Sequence, residues 1–173
     1  MATEYEKRYL LFNAPPVKGV DPIIIKQGYL STNPAKAVRI RMTPQVSELT
    51  IKGLRIAGEA PEFNYPVLRD EAEHLMAMCG DDALTKDRYK IPGHDTKIWE
   101  LDIFTGRHKG LVIAELEMNK GDTFLKPVWL NGAIDITEDN RFSNVVLATT
   151  PMAIINGWIA EYRSLGQKVI LTP

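Results

Sequence analysis

Apolar and polar residues alternate with a period of two along much of this 173-residue chain. Residues 38–42 alternate apolar with basic side chains, and residues 47–52 show the same alternation before Gly53. Because successive side chains of a strand point to opposite faces, this pattern predicts β-strands with one charged face. Turn residues such as Pro92-Gly93 separate the segments. The predicted strands are 4–11, 24–30, 38–42, 47–52, 62–65, 86–91, 97–104, 111–118 and 133–136.

Two segments change to helical spacing. Residues 68–78 carry apolar side chains three and four positions apart and are followed by Gly80, so they predict an amphipathic helix. A second helix is predicted from Pro151, which suits a first-turn position, towards Gly166. The final segment Lys168-Val169-Ile170-Leu171 fits one more strand. No repeat or linker divides the chain, so residues 1–173 are predicted to form one domain.

Composition supports a compact domain and excludes several classes of partner. The chain is 45% hydrophobic and 25% charged, as is typical of a globular domain. Its formal net charge of -1 gives no excess of positive charge that would indicate binding to nucleic acid or an anionic membrane. The single cysteine, Cys79, excludes an internal disulfide and fits a reducing compartment. No secretory signal and no bilayer-length apolar run are visible, so a cytoplasmic location is expected.

Charged residues form same-face doublets on several predicted strands. Each doublet has two like charges at positions two apart, which an apolar interior would not tolerate without partners or a metal ion. An open sheet with a solvated face would accept them, and so would a closed barrel whose wet interior holds an anion and its cation. The doublets are Glu4 and Glu6, Arg39 and Arg41, Lys86 and Arg88, Glu100 and Asp102, and Glu115 and Glu117.

Phosphate chemistry suits this combination of charges. Arg and Lys donors from different strands can clamp phosphate oxygens, and paired glutamates offer the hard oxygen ligands that Mg²⁺ or Mn²⁺ prefers. The sequence contains neither a P-loop nor a Gly-x-Ser-x-Gly nucleophile elbow. The three histidines, His74, His94 and His108, lie far apart and are interpreted as surface residues.

The motifs resemble those of the CYTH family, also called triphosphate tunnel metalloenzymes. The N-terminal segment Glu4-Tyr5-Glu6-Lys7-Arg8 is similar to the family signature Glu-x-Glu-x-Lys. Further blocks follow in family order and extend the resemblance over residues 4 to about 148. They are Gln27-Gly28-Tyr29-Leu30, Val38-Arg39-Ile40-Arg41, Leu49-Thr50-Ile51-Lys52-Gly53, Lys86-Asp87-Arg88-Tyr89, Trp99 to Phe104 with Gly106, Gly110 to Glu117, Pro127-Val128-Trp129-Leu130 and Thr137 to Asn144.

The resemblance implies a mainly β (α+β) fold, an eight-stranded antiparallel β-barrel that forms a polar tunnel, with a few flanking helices. It implies divalent-metal-dependent hydrolysis of a triphosphate, with Mg²⁺ or Mn²⁺ as cofactor. It assigns Glu4, Glu6, Glu115 and Glu117 to metal binding, and Glu6, Arg8, Lys52 and Glu117 to catalysis. It assigns Arg8, Lys26, Arg39, Arg41, Lys52, Lys86, Arg88 and Arg141 to substrate binding, with a plain surface role as the alternative for Lys26.

Three positions depart from the family pattern. Arg8 replaces the usual Lys, and its guanidinium cannot lose a proton to act as a general base. The family usually has Arg-x-Glu-x-Glu before its first long helix, whereas Ala60 and Asn64 flank Glu62 here. The segment after Pro151 lies outside the motifs. It is expected to cap one tunnel mouth or pack on the barrel wall, with a homodimer contact as the alternative.

The first functional hypothesis is a triphosphatase that acts on inorganic triphosphate or on a small organic triphosphate such as a nucleoside or thiamine triphosphate. The resemblance is strongest to bacterial inorganic triphosphatases. One alternative is a catalytically weak protein that binds nucleotides or polyphosphate. Others are an enzyme similar to class IV adenylyl cyclases, although no residue set for adenine is visible, and a barrel used only as an interaction module.

Overall fold

The computed structural model describes residues 5–33, 35–54, 61–119 and 121–170, with side chains up to residue 165. Antiparallel β-structure dominates, as the sequence predicts. The strands are β1 Tyr5–Leu11, β2 Ile23–Ser31, β3 Lys36–Met42, β4 Ser47–Gly53, β5 Glu62–Pro66, β6 Ala83–Pro92, β7 Ile98–Thr105, β8 Val112–Met118 and β9 Ile134–Asp135. The helices are α1 Arg69–Met78, α2 Asn144–Thr149 and α3 Met152–Ile170.

All nine strands belong to one sheet, in the order β5-β4-β3-β2-β6-β7-β8-β1-β9. Every neighbouring pair is antiparallel. In the described part of the chain, the outermost strands β5 and β9 do not pair with each other. The sheet is therefore a curled sheet of nine strands, where the family resemblance implied a closed barrel of eight.

The nine predicted strands all form, with their ends shifted by a few residues. The predicted helix at 68–78 is α1, and the second predicted helix is α3. The expected strand at 168–171 is wrong for its described part, because α3 continues to Ile170. Helix α2 was not predicted, since six residues are too few to show a periodic pattern.

The inward face of the curled sheet is apolar at one end. Leu10, Leu84, Phe104 and Ile113 lie there on four different strands, and each is at most 2% exposed. Helices α2 and α3 cover this end with Leu147, Ala148 and Ile155, while Trp158, Ile159 and Tyr162 pack around them. Burial of this cluster fixes the helices against the sheet. The remaining part of the inward face carries the charged doublets.

The outward face holds two more apolar clusters. Trp99, at the centre of the first, is fully buried among side chains of β1, β7 and β8, and the segment that precedes β9 covers it. The second forms where Met76 of α1 and Cys79, the residue that follows α1, pack on β2 and β3. Gly28 permits this approach, because a Cβ at that position would lie 2.7 Å from the Cys79 Sγ.

One histidine corrects the expectation of three surface residues. His74 and His94 are exposed, but His108 is fully buried beside α2. Its Nε2 donates to the Leu147 carbonyl oxygen at 2.8 Å, and its Nδ1 has no partner among the described residues. Within the described residues, no helix combines the length and the apolar character needed to cross a membrane.

Candidate active site

The charged part of the inward face encloses a cavity of about 420 Å³. Its walls come from seven strands and the start of α2, and they are almost entirely polar. Eight of the residues predicted from the sequence to form a site line this cavity: Glu6, Arg39, Arg41, Lys52, Lys86, Arg88, Glu115 and Glu117. The other lining residues are Ile25, Gln27, Glu48, Glu62, Asn64 and Asn144.

Strands β3, β4 and β5 form one wall, where basic residues pair across the strands. Arg41 donates to Glu48 at 2.8 Å, and Lys52 lies 2.7 Å from Glu62. Because these pairs follow the antiparallel register, the alternation of the strands places all four side chains on the inward face. This wall therefore offers cations that already contact carboxylates.

A buried ion cluster forms the opposite wall. Asp102 is fully buried and accepts hydrogen bonds from Arg88 Nε and Nη2, both at 2.6 Å, and from Lys86 Nζ. Arg88 also pairs with Glu100 and, at 2.6 Å, with Glu115. Burial alone would raise the pKa of Asp102, but the positive charges and hydrogen bonds of Lys86 and Arg88 outweigh it and lower the pKa. The cluster holds both cations at fixed positions.

Glutamates crowd the side of the cavity formed by β1 and β8. Glu6 lies directly opposite Glu117, and Arg8 lies opposite Glu115. Although part of Glu6 is accessible to solvent, withdrawal from bulk water and repulsion by Glu115 and Glu117 raise its pKa to about 7. The positive charges of Arg8 and Arg88 act in the opposite direction. This side of the cavity consequently concentrates negative charge.

The structure does not bring every predicted residue to the cavity. Lys26 lies on the outward face beside α1, because only Ile25 and Gln27 of β2 point inward at this level. Arg8 is not part of the lining, and its Nη2 donates to the Thr137 carbonyl oxygen at 3.1 Å. Glu4 lies outside the described residues.

Arg141 is also away from the cavity. Its guanidinium contacts Asp139 and, on α3, Glu161, each at 2.8 Å, and it stacks 5.6 Å from the Trp158 ring. Asp139 further accepts from the Tyr162 hydroxyl at 2.8 Å. In this structure Arg141 therefore joins the segment before α2 to α3.

Three polar lining residues had no role in the sequence analysis. Glu48 shares the inward face of β4 with Lys52, so the period of two could have identified it. Gln27 is 2% exposed and donates to the Tyr29 hydroxyl at 2.8 Å. Asn144 approaches Lys86 at 3.5 Å only because α2 folds over the end of the sheet. No local sequence pattern predicts that long-range contact.

The donor set fits a divalent cation. In the described part of the chain, no group of three or more His, Cys, Asp or Glu is already close enough to hold a metal ion. Glu6, Glu115 and Glu117 nevertheless line one cavity, and the raised pKa of Glu6 reflects burial together with repulsion by the other two glutamates, which a cation would relieve. Carboxylate oxygens without sulfur or imidazole suit Mg²⁺ or Mn²⁺.

Comparison with known proteins gives a consistent result, although no family model matches the chain. The inorganic triphosphatase of Acetivibrio thermocellus is 30% identical over 153 residues, which cover 87% of this chain and 96% of that protein. The inorganic triphosphatase of Nitrosomonas europaea is 28% identical over 151 residues, which cover 84% and 97%. The crystal structure of the inorganic triphosphatase NE1496 has a TM-score of 0.67 and 26% identity, covering 87% of this chain and 97% of that one. In all three comparisons the similarity thus extends over most of this chain and nearly all of the other protein.

Proposed function

Because this chain belongs to the CYTH, or triphosphate tunnel, family that includes the inorganic triphosphatases, we propose that it hydrolyses inorganic triphosphate and releases phosphate. One observation carries the proposal. A single polar cavity joins a wall of arginines and lysines to a group of three glutamates. That combination suits a polyphosphate anion together with a divalent cation.

The basic residues of the cavity would bind the substrate. Arg39, Arg41 and Lys52 lie on one wall, and Lys86 and Arg88 lie on the other, so a phosphate chain between them would meet donors from both sides. Phosphoryl transfer requires little covalent work from a protein. It depends on positioning and on neutralisation of the charge that develops on the phosphate oxygens. The fixed Lys86 and Arg88 suit that role.

Glu6, Glu115 and Glu117 would hold Mg²⁺ or Mn²⁺, with Glu4 as a further proposed ligand outside the described residues. When bound, the cation would supply Lewis-acid neutralisation of phosphate oxygens. Glu115 now accepts from Arg88 at 2.6 Å. Ligand binding would therefore exchange this ion pair for contacts of Glu115 with the cation and of Arg88 with phosphate.

The lining of the cavity favours inorganic triphosphate over nucleoside or thiamine triphosphates. Ile25 is the single apolar residue among the described lining residues, and no aromatic ring is included. An adenine or thiazolium ring would find no stacking surface there. The same absence of a base site argues against a role similar to that of class IV adenylyl cyclases.

Phosphate release from inorganic triphosphate, ATP and thiamine triphosphate tests the proposal. Each substrate is assayed with Mg²⁺, with Mn²⁺ and with a chelator, while calorimetry measures binding of the same compounds. We expect metal-dependent release that is fastest from inorganic triphosphate. Tight binding without release under every condition would contradict a triphosphatase and would indicate the alternative, a protein that only binds polyphosphate or nucleotides.

A further inference from the structure

The cations of the cavity differ in how they are neutralised. Four of the five basic lining residues contact a carboxylate: Arg41, Lys52, Lys86 and Arg88. Arg39 is the exception. Among the described residues, no carboxylate oxygen lies within the 4.0 Å of an ion pair with Arg39, and its Nη2 donates instead to the Thr50 hydroxyl at 2.9 Å. Its Nε is buried without a hydrogen-bond partner.

Arg39 is a partly buried cation with no ion-pair partner among the described residues, and an anion in the cavity would relieve the cost of that arrangement. Burial lowers the pKa of Arg39 and the positive charge of Arg41 on the same strand lowers it further, while Tyr29, Glu62 and Glu48 each act more weakly in the opposite direction. The orphan Nε–H adds an unsatisfied donor. A bound phosphate chain would therefore stabilise Arg39 more than it would stabilise the four cations that already contact carboxylates.

The register of β3, β4 and β5 explains why no described carboxylate forms an ion pair with Arg39. Three inward-facing rows run across these strands. In the first row Arg41 faces Glu48, and in the third Lys52 faces Glu62. In the middle row Arg39 faces Thr50, and Thr50 faces a neutral residue of β5.

That neutral residue is Asn64. Its Oδ1 accepts a hydrogen bond from the Thr50 hydroxyl at 2.7 Å, which continues the chain that begins at Arg39. Its Nδ2 donates to Glu62 Oε1 at 3.3 Å, while the other oxygen of Glu62 contacts Lys52. A carboxylate at position 64 would give the middle row a negative charge, as Glu48 and Glu62 already give the two flanking rows.

We propose that Asn64 is a specificity-determining residue of the proposed triphosphatase: by staying neutral it leaves Arg39 available to a phosphate anion. This inference rests on the proposed function. The interaction of one added charge with a ligand scales with the charge of that ligand. The neutral residue therefore favours the more highly charged triphosphate over the shorter and less charged pyrophosphate.

Calorimetric binding of inorganic triphosphate and of pyrophosphate, in buffer with a chelator, tests the inference. Asn64→Asp changes charge at nearly constant shape and is expected to weaken triphosphate binding by about tenfold, and pyrophosphate binding by less. Asn64→Ala removes the amide without adding charge. Asn156→Asp adds the same charge on an exposed position of α3. Both controls are expected to bind triphosphate within about threefold of the natural protein.

Thermal unfolding of the ligand-free proteins distinguishes an electrostatic effect on binding from a loss of folded structure. Asn64 lies on an exposed edge strand, and an aspartate there gains attraction from Arg39. Repulsion from the adjacent Glu62 opposes that gain, so the unfolding midpoint of Asn64→Asp is expected to stay close to that of the natural protein while its affinity falls. Asn64→Lys gives a second variant of opposite charge, and it is expected to bind triphosphate at least as tightly as the natural protein.

Three results would overturn the inference: equal triphosphate affinity in Asn64→Asp and the natural protein, equal losses in Asn64→Asp and Asn64→Ala, or equal losses in Asn64→Asp and Asn64→Lys. Each of them would leave the proposed hydrolysis untouched. Conversely, a natural protein that binds triphosphate with the expected charge dependence, yet releases no phosphate with either metal, would contradict the proposed function alone.

Discussion

The buried carboxylate of Asp102 is the residue on which one wall of the cavity depends. It is 0% exposed and binds both Lys86 and Arg88. Loss of one partner from a buried ion cluster costs about 3–5 kcal/mol, because the remaining charges stay buried without compensation. Asp102→Asn is therefore expected to lower the free energy of unfolding by about 3 kcal/mol in urea denaturation at neutral pH.

The neighbouring Asp87, on the outward face of β6, gives a matched control for Asp102→Asn. Asp87→Asn is expected to change the free energy of unfolding by less than about 0.5 kcal/mol. The lowered pKa of Asp102 adds a pH signature: its stabilising contribution is present above the ordinary carboxyl pKa and is lost as the pH falls through the lowered value. Equal stability of the two variants would contradict the role of Asp102.

Glu6 should titrate unlike an ordinary glutamate. Its pKa is raised from 4.5 to about 7, so a carbon-13 titration of its carboxyl group in metal-free protein is expected to show a midpoint near 7. Because the folded-state pKa exceeds the ordinary value, ionisation of Glu6 destabilises the metal-free fold as the pH rises through this interval. Glu117→Gln removes one source of repulsion and should lower the midpoint. A midpoint near 4.5 in the natural protein would refute this electrostatic account of the site.

At the residue scale, the alternation of side chains along the strands predicted much of the cavity lining. The period of two placed Arg39, Arg41 and Lys52 on the inward face, and the same period explains why Lys26 faces outward. Such patterns could not predict contacts between segments that lie far apart in the chain. The hydrogen bond of Arg8 to Thr137 and the ion pair of Arg141 with Glu161 join segments whose proximity the local sequence does not specify.

At the scale of elements, α1 packs on β2 only because Gly28 has no side chain. An added Cβ would lie 2.7 Å from Cys79 Sγ and 3.0 Å from Met76 Sδ. Gly28→Ala is expected to lower the free energy of unfolding by about 1–3 kcal/mol through overpacking, measured by chemical denaturation. Cys79→Ala in the same protein should restore part of the loss.

Gly157 in α3 provides the comparison, since a Cβ there meets no atom within 4 Å. Gly157→Ala is expected to leave stability unchanged or to raise it by about 0.5–1 kcal/mol, as alanine favours a helix. If Gly28→Ala proved as stable as Gly157→Ala, the close packing of α1 on β2 would be wrong.

Strand and helix positions followed from periodicity, and so did the end of α1 at Met78, whereas the end of α3 did not. The predicted end of the last helix near Gly166 relied on glycine as a stop signal, but α3 continues to Ile170. One glycine costs a helix only about 1 kcal/mol, and packing of Ile155, Trp158 and Tyr162 on the sheet offsets that cost. Tertiary contacts thus overrode the local stop signal of Gly166.

At the scale of the whole molecule, the strand order required information that no local pattern holds. The first strand, β1, lies between β8 and β9, so the glutamates of β1 and β8 meet although more than a hundred residues separate them. Periodicity fixes which face a side chain takes, but not which strand becomes its neighbour. The family resemblance supplied the expectation that these glutamates belong to one site.

The most direct test of the account is phosphate release from inorganic triphosphate by the natural protein and by Glu115→Gln, each with Mg²⁺ or Mn²⁺. Glu138→Gln, which changes an exposed glutamate outside the cavity, serves as the control. The account predicts metal-dependent release that falls by at least about a hundredfold in Glu115→Gln and is unchanged in Glu138→Gln. No release by the natural protein with either metal, or equal release by Glu115→Gln, would contradict it.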